Sequence, residues 1–236
     1  MTRAGYSSKE YFGHDIMTID DVHSFKDGIE THTNYFGKRP DGIDENFFAA
    51  IDTFGSLHQV NSFDGPFLKF STSTLMKKIF HELHKKVKDY DKYEDYYYAG
   101  FSGHDSNVTP FQIGLGVTST ECIIEMIKNN GKSTSNPNCQ VVPHFASNII
   151  YELSSTKDSS TPPKRTFFIR VLLNGVLVDI CPKGQATAEG YCPYDTAKTA
   201  SYDAMTLSDA DFDKMCYYKK TDLQTATYGD DDNSSG

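Results

Sequence analysis

The chain has 236 residues, 38% hydrophobic and 23% charged, with 16 Phe, 15 Tyr and no Trp. That is enough for one domain with a full core, and no second domain is required. A formal charge of -9 and a pI near 5.3 argue against the basic face that a nucleic-acid partner demands.

Residues 1–40 are polar and irregular, with one helix expected within IDDVHSFKDGIETHTNYF. The opening MTRAGYSSKEYFG lacks the apolar run of a secretory signal. Nowhere does the chain approach the roughly 18 consecutive apolar residues of a membrane span. DGIDENFFAAIDTF (41–54) reads as a short helix with an acidic first turn. The strongest helix signal is 71–90, where Leu75, Ile79, Leu83 and Val87 recur every four residues after Ser/Thr candidates for the N-cap. YYYAGFS (96–102) then reads as a strand, followed by a Gly-His-Asp turn and a helix from about 107 to 115. TECIIEMIKNNG is helical, with Gly131 as its C-cap.

The last third is richer in β-branched and aromatic residues. ASNIIYELS (146–154) and TFFIRVLL (166–173) are predicted strands, separated by an SSTKDSSTPPKR loop. Asn174-Gly175 joins the second of them to VLVDI (176–180), a strong hairpin signal. A helix–strand–helix portion feeding an antiparallel meander implies a mixed α/β sheet flanked by helices. Residues 1–226 form one expected domain, and the acidic TYGDDDNSSG (227–236) is an expected disordered tail.

Five cysteines stand at 122, 139, 181, 192 and 216. Four lie in irregular, Pro/Gly/Asn-rich stretches, which suits disulfides more than buried thiols. An odd count leaves one free or paired elsewhere. A disulfide-like pattern without an export signal is a first hint, and the expectation taken from it is a missing upstream segment.

Few motifs offer chemistry. His81 and His84 in HELH are spaced i, i+3 with no third ligand, so they read as part of a polar helix face and not as a zinc site. Gly-Leu-Gly at 114–116 has neither dinucleotide nor P-loop spacing, and the cysteines form no C-x-x-C. No metal or cofactor is expected. Gly-His-Asp occurs twice, at 13–15 and at 103–105. The first copy has no strand-like run before it and reads as coincidence. The second ends a predicted strand and opens a helix, where helix N-termini favour anions. There His104 could donate a hydrogen bond to an oxyanion and Asp105 could donate a proton. On residues alone, Asp105 serves equally well as a simple N-cap.

YYYAGFSGHDSNVTPFQIGLGV resembles the C-terminal signature of the histidine acid phosphatases, in which a strand ends in a small residue and then His-Asp. GPFLKFSTSTLMKKIFHELHKKV resembles the helix before that strand, and PHFASNIIYEL the strand that follows. FIRVLLNGVLVDIC, CPYDTAKTASYDAM and DFDKMC resemble the family's closing hairpin and cysteine-bearing tail. The resemblance covers roughly 62–216, and more weakly 17–45.

It implies an α/β fold, the C-terminal portion of a histidine-phosphatase-like mixed sheet that ends in an antiparallel hairpin. It also implies phosphomonoester hydrolysis in the complete form, with His104 binding the phosphoryl oxygens and Asp105 protonating the leaving oxygen. The ligand would be a phosphate monoester or the phosphate anion, and the compartment secreted or a lysosomal or vacuolar lumen. Cys122 and Cys139 could close one local loop and Cys181 and Cys192 another, the connectivity itself being left open by the sequence. Cys216 would be left over; in the family the tail cysteine pairs upstream. Asn107-Val108-Thr109 and Asn233-Ser234-Ser235 fit the N-glycosylation pattern, the first inside the supposed site.

One departure is large. The family's nucleophile is the His of an R-H-G-x-R-x-P motif, and no R-H-G occurs in these residues, whose arginines are Arg3, Arg39, Arg165 and Arg170. His14 has no Arg before it. Transfer through a phosphohistidine needs a nucleophile and a clamp for negative charge. The expectation is therefore a chain inert by itself, completed by a missing N-terminal half or partner chain. The alternative is a pseudophosphatase that binds an anion or a partner without turnover.

Overall fold

The structure is a computed structural model and describes residues 18–129, 133, 135–136 and 139–216. The chain divides into two units, Met1–Thr206 and Leu207–Gly236.

Helix α1 (Ile19–Phe36) starts at a capping box: the Asp21 N–H donates to Thr18 Oγ1 at 3.2 Å and the Thr18 N–H to Asp21 Oδ2 at 3.1 Å. It ends at Gly37 with φ 69°, a left-handed cap. Helix α2 (Glu45–Phe63) is capped by Asp44, whose Oδ1 accepts the Phe47 N–H at 2.7 Å. It runs past the expected end at residue 54, although GSLHQVNS looks polar. Its hydroxyls are satisfied inside the helix: the Thr53 hydroxyl donates to Ala49 O and the Ser56 hydroxyl to Asp52 O, each at 2.7 Å. Val22, Ile29 and Ile51 form the core between α1 and α2.

Helix α3 (Pro66–Lys88) begins with Pro66 at its first position, where a missing N–H costs nothing. The Ser/Thr residues expected as caps are instead interior. Thr72 and Ser73 are buried, and Thr72 Oγ1 lies 2.6 Å from Met205 O and 2.8 Å from Leu68 O. The stripe Leu75, Ile79, Leu83 and Val87 packs at the rim of a cluster whose centre is Met76 and Phe80. Helices α4 (Asp105–Gly114) and α5 (Thr120–Lys128) follow, the second capped by Ser119 Oγ, which accepts the Cys122 N–H at 3.1 Å. Helix α5 ends at Asn129, and the expected cap Gly131 lies outside the described residues.

The sheet is small, open and antiparallel throughout. β1 (Ile149–Lys157) pairs along its length with β2 (Arg165–Leu173), from Ile149 opposite Leu173 to Lys157 opposite Arg165. On the other edge of β2, β3 (Val176–Val178) pairs with Val171–Leu173, and β4 (Cys192–Pro193) with Phe168 and Ile169. The Asn174-Gly175 turn has φ 50° and 79°, the two positive values of a type I′ hairpin, as the dipeptide predicts. Alternate residues of β2, namely Ile169, Val171 and Leu173, are fully buried against α3 and α4. After β4 the chain runs through α6 (Tyr194–Ala197), a π-helical turn (Lys198–Tyr202) and α7 (Asp203–Met205), which add Tyr194, Ala197 and Met205 to that core.

The expected strand 96–102 does not form. Residues 96–104 lie outside regular structure and are exposed, Tyr97 and Tyr98 by 80% and 84%. The segment is tied to the C-terminal end of α3 instead of to a neighbouring strand. Lys86 Nζ donates to Glu94 O at 3.1 Å and Tyr96 O at 2.8 Å, and Tyr96 OH donates to Glu82 Oε2 at 2.8 Å. Lys85 and Lys86 also lie over the rings of Tyr93, Tyr96, Tyr90 and Tyr97. High β-propensity expresses itself only where another strand is at hand to pair, and among the described residues none pairs with this one. The described sheet is thus purely antiparallel, where a mixed one was expected.

Cys122–Cys139 and Cys181–Cys192 are disulfides, each within a packed cluster. Cys122 sits in α5 and Cys192 in β4, in regular structure and buried. In the second unit, helix α8 (Asp209–Cys216) is capped by Ser208, whose Oγ accepts the Asp211 N–H at 3.1 Å; Cys216 is free and exposed. The expected tail 227–236, the first Gly-His-Asp at 13–15 and Asn233 lie outside the described residues. No described helix is long and apolar enough to cross a membrane.

Candidate functional site

The Gly-His-Asp turn is built by its neighbours. His104 is the N-cap of α4, in extended conformation with φ -91° and ψ 172°. Its N–H donates to Asn107 Oδ1 at 2.9 Å, and the Asn107 N–H donates to His104 O at 2.9 Å. Gly103 makes room for this cap, because a Cβ there would stand 3.0–3.3 Å from the Asn107 side chain. Asp105 is therefore not the N-cap that the residues alone allowed. It is the first helical residue, and its Oδ1 accepts the Ser106 N–H at 2.7 Å.

His104 and Asp105 are both exposed. They stand at the positive end of a ten-residue helix, His104 as its N-cap and Asp105 in its first turn. Such a terminus can hold an anion, and a flanking carboxyl in its acid form can donate a proton to it. Behind the turn the helix is anchored: Thr109, Pro110, Phe111, Gln112 and Ile113 are buried. In the glycosylation pattern Asn107-Val108-Thr109, Asn107 is exposed but its Oδ1 is taken by the His104 N–H, and Thr109 is buried.

The described arginines are engaged elsewhere. Arg39 pairs with Glu45 and lies over Phe48. Arg165 stacks on Tyr90 with its guanidinium 3.5 Å from the ring centre and donates to Ser155 Oγ. Arg170 pairs with Glu152 across the β1–β2 ladder and lies over Tyr191. None is given to the Gly-His-Asp turn, so no described arginine clamps a phosphate there.

His81 and His84 do not converge on a metal. His84 Nδ1 faces Tyr194 OH at 3.5 Å, and its ring stacks on the tyrosine. Burial beside Asp195 and Tyr202 pushes the Tyr194 phenol up to about 12. The described residues that do converge are Glu30 on α1, Asp52 on α2 and His144 in the loop before β1, whose ligand atoms all lie within 4.8 Å of one another. These were not picked out from the sequence. The available signal was Lys26 and Glu30 at i, i+4 on α1, among the apolar positions Val22 and Ile29 that mark its inner face.

No protein-family model matches this chain, and no curated protein is similar enough to it to match.

Proposed function

We propose that this is a histidine acid phosphatase-like chain that supplies the anion-binding and proton-donating half of a phosphomonoester-hydrolysing site. His104 would hydrogen-bond the phosphoryl oxygens and Asp105 would protonate the leaving oxygen. The observation that carries this reading is the placement of the pair: both side chains are exposed at the N-terminus of a well-anchored helix, directly after a glycine that frees the cap. In the complete form the nucleophilic histidine and the arginine clamp would come from an R-H-G motif that the 236 residues do not contain. The two disulfides support an oxidising compartment, secreted or a lysosomal or vacuolar lumen.

A second reading is a pseudophosphatase that binds an anion or a partner without turnover. What favours it is that Arg39, Arg165 and Arg170 are each committed to other side chains. Both readings expect no acid-optimum hydrolysis of an aryl phosphate by the purified 236-residue chain. Turnover that survives a mock-purification control and disappears in His14→Ala would overturn the dismissal of the first Gly-His-Asp. Restored turnover on mixing with a separately expressed R-H-G-bearing domain, lost in Asp105→Asn, would favour the half-enzyme over the pseudophosphatase.

A further inference from the structure

We propose that Glu30, Asp52 and His144 form a binding site for a divalent first-row transition metal. Three separate segments bring these groups together. Glu30 lies in the second half of α1, Asp52 on the inner face of α2, and His144 in the chain that leads from the Cys122–Cys139 disulfide to β1.

Their oxygens divide into two sets. Lys26 Nζ lies 3.3 Å from Glu30 Oε2 and 3.7 Å from Asp52 Oδ1, so one oxygen of each carboxylate faces the cluster's own cation. The other oxygen of each faces the imidazole: Glu30 Oε1 is 2.6 Å from His144 Nδ1, and Asp52 Oδ2 is 3.8 Å from His144 Nε2. Lys26 balances one of the two negative charges. The second faces His144, whose Nδ1 now lies 2.6 Å from Glu30 Oε1, and an ion would take the place of that contact.

Asp52 supplies an independent sign that a ligand is wanted. Its side chain is only 10% exposed, yet neither oxygen has a close partner within the cluster: Oδ1 has no hydrogen-bond donor and stands 3.7 Å from Lys26 Nζ, and Oδ2, on the side of the proposed ion, stands 3.8 Å from His144 Nε2. Buried carboxylate oxygens without a donor are rare, because their desolvation is costly. A metal ion on the carboxylate would compensate that burial without any donor. Glu30 is nearly as enclosed, at 12%, whereas His144 is half exposed and opens the cluster to solvent.

The donor set selects the ion. Two carboxylate oxygens and one imidazole nitrogen suit Zn²⁺, Mn²⁺, Fe²⁺ or Co²⁺, and are a poor match for Cu(I), which prefers sulfur, or Ca²⁺, which takes six or more oxygens. Bonds of about 2.0–2.2 Å place donors of one shell roughly 3–3.5 Å apart. Binding would draw the three ligand atoms in from their present spread of up to 4.8 Å, with His144, the only one of the three not held on a helix, free to turn one ring nitrogen toward both carboxylates. Three protein ligands leave further positions to solvent, the arrangement of reactive rather than structural metal sites.

Zn²⁺ titration by calorimetry and Co²⁺ titration by visible absorption test the site in the full chain carrying Cys216→Ser, which removes the free thiol. One ion should bind, with d–d bands showing nitrogen–oxygen ligation. His144→Gln changes a half-exposed residue and should keep the native melt, yet it should weaken binding more than about 100-fold, beyond the ~10–100-fold typical of a group one shell further out. Lys26→Met should tighten binding by removing the competing cation. His58→Gln should leave the affinity unchanged, although it disrupts the neighbouring His23–His58 ring pair. Absence of a Co²⁺ band, or equal affinity in wild type and His144→Gln, would overturn the proposal and leave the cluster an ion-pair network around Lys26.

Discussion

The disulfides allow a stability prediction whose size follows from chain length. Cys122 and Cys139 are 17 residues apart, and Cys181 and Cys192 are 11 apart. In the chain-entropy model, cross-links of that span remove about 10.5 and 9.3 cal/mol/K from the unfolded ensemble, or about 3.1 and 2.8 kcal/mol at 25 °C. Alanine is the right replacement, since Cys122 and Cys192 are buried and serine would leave hydroxyls without partners. With a urea m-value of about 2 kcal/mol/M, Cys122→Ala/Cys139→Ala should lower the midpoint by about 1.5 M, and Cys181→Ala/Cys192→Ala by slightly less. Thiol titration of the untreated native protein should give one reactive group, Cys216. Reduction under denaturing conditions should give all five. Five thiols titrating without reductant, or a urea midpoint unmoved by either double substitution, would refute the disulfides as a source of stability.

Other parts of the fold are open to similar tests. Ile169 is fully buried in β2 at the centre of the main cluster, so Ile169→Ala should cost about 3–4 kcal/mol in equilibrium urea unfolding. Asn107→Ala removes the side chain that accepts the His104 N–H, and should cost about 1 kcal/mol while loosening the turn, seen as faster amide exchange at residues 104–107. At the end of α4, a Cβ on Gly114 would stand 2.6–2.7 Å from Met205 side-chain atoms; Gly114→Ala should lower the melting temperature despite its gain in helix propensity. Asp158 accepts hydrogen bonds from the Ser160 hydroxyl and from the Lys164 and Ser160 N–H groups, which hold its carboxyl below the ordinary 3.8. Its stabilising contribution is present above the unfolded value and lost as pH falls through the lower folded value; in an NMR titration its carboxyl carbon should still be ionised at pH 3.8.

The hairpin was legible because local chemistry decides it, whereas the start of α4, expected near 107, lies at Asp105 with His104 as its cap. Asn174-Gly175 demands positive φ at both positions, while the cap of α4 depends on the Asn107 side chain reaching back to the His104 N–H, which a search for Ser, Thr or Asp caps passes over. The apolar stripe of α3 was visible too, but spacing could not tell its rim from its centre. Leu75, Ile79, Leu83 and Val87 announce the face, whereas Met76 and Phe80 make the deepest contacts. YYYAGFS misled because β-propensity is a property of a surface that another strand completes. Here Lys85 and Lys86 offer cation–π and carbonyl contacts instead. Glu30, Asp52 and His144 could not be assembled from the sequence at all. They meet only because α1 packs on α2 and the loop after the Cys122–Cys139 disulfide returns to both.

Phosphate binding at His104 tests the central claim most directly. Inorganic phosphate or vanadate should be titrated into the 236-residue chain while the His104 imidazole and the amides of residues 105–108 are followed by NMR. Saturable shifts confined to that turn, abolished in His104→Ala and retained in His144→Gln, are the predicted result. A turn that does not respond, or shifts that persist without the His104 imidazole, would contradict a phosphoryl-binding role and leave Gly-His-Asp as no more than the start of a helix.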